Sequence, residues 1–146
     1  MTLPLYTVEK RTPGRVYCGP FCVMSITGLP HETIRAAINA RRGRPYNKPV
    51  MGTHEQELRE SLFDLGWFAW TCYEYGRNEG PTLASWLRLT HGKREMTAYY
   101  LIQLSHHWVL VAGMRFVDTY SKHPVSLSDA PWRRAKVKSV LAVAKR

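Results

Sequence analysis

Apolar positions recur at helical spacing in the first half of the chain and at strand spacing in the second. The stretch "CGPFCVMSITG" predicts a first helix that starts at Cys18, carries Pro20 in its first turn and stops at Gly28 and Pro30. A second helix runs from His31 to Arg41, with Ile34, Ala37 and Ile38 on one face. "RRGRPYNKPVMG" breaks the pattern as a basic loop rich in Pro and Gly. Thr53 and Gln56 have capping-box spacing and open a third helix, in which Leu58, Leu62 and Leu65 recur before Gly66.

Trp67 to Tyr75 reads as an aromatic-rich strand, and Pro81 to Leu89 as a short helix with Leu83, Trp86 and Leu87 apolar. Trp67, Trp70 and Trp86 are expected in the core. The remainder reads as strands at Met96 to Leu104, His106 to Gly113, Arg115 to Tyr120 and Ala135 to Val143. Helices followed by antiparallel strands make an α+β layout, and 146 residues fit a single domain over 1–146.

Composition narrows the class. Apolar residues make up 45% and charged residues 22%, as in a soluble globular protein. No apolar run approaches the roughly 20 residues of a membrane span. The N-terminal "MTLPLYTVEKRTPG" lacks the apolar core of an export signal. Three cysteines, Cys18, Cys22 and Cys72, fit a reducing cytoplasm better than a disulfide framework. The net charge of +10 gathers in Arg41, Arg42, Arg44 and Lys48 and again in Arg133, Arg134, Lys136, Lys138, Lys145 and Arg146. Such a surface favours an acidic protein partner or nucleic acid, although no nucleic-acid motif accompanies it.

The candidate chemistry centres on Cys18. A thiolate nucleophile is favoured at a helix N-terminus, and Gly19 lets a substrate approach the backbone closely. The N–H of Cys18 then points toward a developing oxyanion. "HHWVLVAGMRFVDTY" supplies a base and an orienting carboxylate across a short hairpin. A two-residue loop at Gly113 and Met114 pairs Ala112 with Arg115 and puts His107 and Asp118 on one face, about 7–8 Å apart at the backbone. An odd-length loop favours His106 instead. Trp108 then faces the core with Leu110, and Gln103 shares the strand parity of His107 and reaches the cleft.

Cys22 reads as core packing, and a Cys18/Cys22 metal pair lacks the close ligand spacing of such sites. His31, His54, His91 and His123 are expected at the surface. Asp129 is a weaker substitute for Asp118. No cofactor or metal is called for.

"YCGPFCVMSITG" together with "HHWVLVAG" and "FVDTY" resembles the papain-like cysteine peptidases, and among them the bacteriocin-processing C39 and C39-like group. "THEQELRESLFDLGW" and "GPTLASWLRL" resemble segments of the same group, so the likeness runs in order through most of residues 15–120. It implies a papain-like fold with N-terminal helices packed on a C-terminal antiparallel sheet. It also implies Cys18 as nucleophile, His107 as base and Asp118 as orienter, in a hydrolase acting on a protein or peptide substrate. Such a stand-alone basic domain suits a phage or bacterial accessory protein. The group carries a Gln about six residues before the Cys to complete the oxyanion hole; here that position is Thr12, flanked by Arg11 and Pro13, and Thr12, Arg15 or a backbone amide would take its place. A chain that keeps the fold but has lost catalysis, and binds an acidic partner or nucleic acid, is the rival reading.

Overall fold

The computed structural model describes residues 3–8, 16–105, 107–121 and 123–146. Helix α1 spans Cys18–Thr27. Pro20 sits in its first turn, where a missing N–H costs nothing. Gly28, at φ 73°, ends it with its N–H on the Met24 carbonyl. Every residue from Gly19 to Ile26 is buried, so α1 is a core helix rather than an amphipathic surface one. Helix α2 spans His31–Arg42 and α3 spans Glu55–Asp64.

The capping of α3 lies one residue beyond the expected box. His54 is the N-cap, and its backbone N–H donates to Glu57 Oε1 at 2.9 Å. Thr53 is occupied elsewhere: its carbonyl accepts the Trp108 indole N–H at 3.0 Å, and its side chain lies against Gly19.

Strand β1 (Trp67–Glu74) precedes helix α4 (Leu83–Leu89), which is capped by the Thr82 hydroxyl accepting from the Ser85 N–H. The remaining strands are β2 (Tyr99–Leu104), β3 (His107–Ala112), β4 (Arg115–Val117), β5 (Val125–Ser126) and β6 (Val137–Lys145), with a 3-10 turn at Leu127–Asp129. They form one antiparallel sheet in the order β1-β6-β2-β3-β4-β5. The α+β expectation holds. Strand β5 and the 3-10 turn were not expected, since "PVSLSDA" is too short and polar to show a period.

The sheet is covered on both faces. Helices α1 to α3 pack with Leu101, Trp108, Leu110 and Leu141 on one side. Helix α4 packs through Leu83 and Trp86 with Tyr100, Ile102, Val109 and Val140 on the other. Trp86 is buried, but Trp70 is 46% exposed, contrary to expectation. Strand β1 is an edge strand with Trp67 and Ala69 turned to the α3 side, which leaves Phe68 and Trp70 facing outward. His31 is likewise corrected: it is buried at the start of α2, and that burial lowers its pKa. Asn39, also buried, donates to the carbonyls of Tyr46 and Lys48 and so ties down the basic loop. Among the described residues, no helix is long and apolar enough to cross a membrane.

Candidate active site

The hairpin from β3 to β4 takes the two-residue form. Ala112 pairs with Arg115, Val111 with Phe116 and Leu110 with Val117, with Gly113 at φ 61° in the turn. Extending that register sets Asp118 beside the start of β3, where His107 is the first residue. His107 Nε2 lies 3.1 Å from Asp118 Oδ2. The alternative residue His106 lies outside the described residues, as do Thr12 and its neighbours Arg11, Pro13 and Arg15.

Cys18, at the first position of α1, sits against the His107 side chain, and the two groups interact electrostatically. Because Asp118 engages Nε2, Nδ1 is the ring nitrogen left for the thiol. Burial alone would raise the Cys18 pKa. The interaction with the His107 side chain, the backbone N–H groups of Trp108 and Gly19 and the imidazole charge outweigh burial, and the net shift is downward. Burial pulls His107 the other way, toward neutrality, yet its interactions with Asp118 and Cys18 raise it to about 9. The coupling therefore favours a thiolate facing an imidazolium over the neutral thiol and imidazole.

Asp118 is fully buried and fully occupied. Its Oδ1 accepts from the N–H groups of Tyr120 (3.1 Å) and Ser121 (3.0 Å) and from the Ser121 hydroxyl (2.9 Å). Its Oδ2 accepts the Trp132 indole N–H at 2.8 Å beside His107. Burial raises its pKa, but these donors, led by His107, bring it below the usual carboxylate value. The carboxylate stays charged and cannot rotate, which fixes the imidazole plane.

Trp132 escaped the sequence reading. Its backbone sits at φ 64°, a left-handed conformation uncommon for a bulky residue. Its ring lies 5.5 Å from the His107 ring and 5.7 Å from that of Tyr120. The indole thus shields one side of the His–Asp bond while donating to it. Proline at 131 was its one local signal, and that marks a turn without saying where the indole goes.

Other expected residues separate. Gly19 is held against Thr53: a Cβ there would come within 1.9 Å of Thr53 Oγ1. Gln103 pairs with Trp108 and Leu104 with His107, so Gln103 stands on the opposite strand face from His107. Gln103 still lines the cleft at the sheet end, where its Oε1 accepts from the Ser139 hydroxyl at 3.0 Å. Cys22 is buried, with its thiol toward the Trp108 carbonyl at 3.7 Å and its pKa pushed up by burial. Asp129 is exposed in the 3-10 turn. Thr53 was expected only as a cap; its buried hydroxyl lines the cleft and has no hydrogen-bond partner among the described residues.

The arrangement lines up a thiol, an imidazole and a fixed carboxylate, the first two on the wall of one cleft. No protein-family model, curated protein or solved structure matches the chain.

Proposed function

We propose that the protein is a papain-like cysteine hydrolase that cleaves a peptide, isopeptide or related amide bond. The contact of Cys18 with His107, backed by Asp118, carries the reading, because it lowers one pKa and raises the other. The Cys18 sulfur attacks the carbonyl carbon, and the electron pair of the C=O bond moves onto oxygen. The N–H of Cys18, at the helix start where no intrahelical carbonyl takes it, donates to that oxyanion. His107 gives its Nδ1 proton to the leaving nitrogen as the C–N bond breaks, which leaves a thioester on Cys18. His107 then takes a proton from water, the resulting hydroxide adds to the thioester, and the acid departs as the thiolate returns. An amine in place of water gives acyl transfer by the same steps.

Alkylation followed by mass spectrometry tests the proposal. Cys72 is the internal reference, because burial raises its thiol to about 11. At pH 7 iodoacetamide is expected to modify Cys18 about a hundredfold faster than Cys72. Equal rates would remove the nucleophile and the hydrolase with it.

A further inference from the structure

Cys18 and His107 open onto a cleft of about 720 Å³. It follows the end of the sheet where β1 and β2 finish and β3 and β6 begin, and it reaches the loop after β1. Apart from the Cys18–His107 pair, its charged lining is Arg77, Lys136 and Lys138, and among the described residues no Asp or Glu lines it. All three cations are exposed, and none takes part in an ion pair among the described residues. The acids on the neighbouring chain do not neutralise them: Glu74 and Glu79 form no salt bridge there, and the Glu79 carboxylate folds back over Gly76.

One of the cations is held in place. Lys136 Nζ donates to the Asn78 carbonyl at 2.8 Å, which anchors the loop to the start of β6, and Asn78 adopts the left-handed conformation that lets the loop turn back. Three like charges in one concavity repel one another and focus a positive field along it. Nothing in the described fold compensates them. The neutral part of the wall, including Gln103, Ser105 and the unpartnered Thr53 hydroxyl, suits an extended peptide backbone. Among the described residues no exposed Phe, Tyr or Trp lines it to stack a base; Tyr120 and Trp132 stand beside Asp118 on the β4 side of His107.

We infer that the substrate is a peptide segment with Asp or Glu side chains beside the scissile bond, held by Arg77, Lys136 and Lys138. This rests on the hydrolase reading for the bond but not for the binding. Its test therefore uses Cys18→Ala protein, which binds without turnover. Fluorescein-labelled peptides Ala-Glu-Glu-Ala-Ala-Glu and Ala-Gln-Gln-Ala-Ala-Gln are compared by anisotropy at low salt.

The acidic peptide is expected to bind roughly tenfold tighter, as two or three exposed ion pairs allow. Arg77→Glu with Lys138→Glu should erase the difference, and Arg88→Glu on α4 should preserve it. Equal affinities for the two peptides, or equal losses from the Arg88 control, overturn the acidic specificity while rapid Cys18 alkylation still upholds the hydrolase. Tighter binding of a labelled oligothymidylate of matched charge, lost with the same cleft substitutions, overturns it in favour of nucleic acid. Slow Cys18 alkylation counts only against the hydrolase, since the binding comparison is made without the thiol.

Discussion

The charge state of one imidazole governs the chemistry of this site. His107 is raised to about 9, with Asp118 as the first partner opposing burial. A base raised in this way keeps its proton below that value and loses it as pH climbs through it. The amide cleavage proposed for it, which needs His107 as an acid, should therefore fall off near pH 9, whereas alkylation of Cys18 should not. Asp118→Asn removes the carboxylate that holds the proton and should move that alkaline limb down toward the ordinary histidine value, with a rate loss of about 10²–10⁴-fold. A cleavage profile unmoved by Asp118→Asn would refute the assigned role. Trp132→Phe keeps a ring beside His107 but deletes the N–H on Asp118. It should cost roughly tenfold in rate with little change in melting temperature, read from kcat and thermal unfolding together. At this scale the sequence disclosed much: Cys18, His107 and Asp118 fall together because a hairpin register converts spacing into position. Trp132 and Thr53 were hidden because each reaches the site from a loop, where no periodicity states the direction of a side chain.

Among the elements, α1 is placed by a contact between its first turn and the loop that precedes α3. Gly19 leaves room for Thr53, and Thr53 in turn holds the Trp108 indole through its carbonyl. Gly19→Ala would drive a methyl into the Thr53 hydroxyl and shift the helix start that carries Cys18. A destabilisation of about 1–3 kcal/mol and slower alkylation of Cys18 are expected. Adding Thr53→Ala deletes the clashing hydroxyl and should restore part of both, as urea titration and labelling rates would reveal. If the double variant is as impaired as the single one, packing against Thr53 is not what requires glycine. Helix boundaries were readable because Gly28, Pro30 and Gly43 punctuate them chemically. The burial of His31 and the exposure of Trp70 were not, since they depend on which element covers which face.

For the whole molecule, stability rests on a sheet sandwiched between two apolar layers. Leu101 is fully buried on the β2 face beneath the first three helices. Leu101→Ala should lower unfolding free energy by about 2–5 kcal/mol, measured by urea denaturation, and a loss below 1 kcal/mol would contradict the packing described. The alternation of apolar residues foretold the strands, but the order in which they pair was not legible, because pairing is settled by layers that form from distant segments. That order has a kinetic consequence. Strand β6, last in the sequence, lies between β1 and β2. Among the described residues, β1 finds its strand partner in β6, so the sheet closes through a long loop, which favours folding in the slow, milliseconds-to-seconds regime. Lys136 and Lys138 arrive with that strand. A chain in which β6 has not yet docked therefore carries the thiol without the wall inferred to choose its substrate.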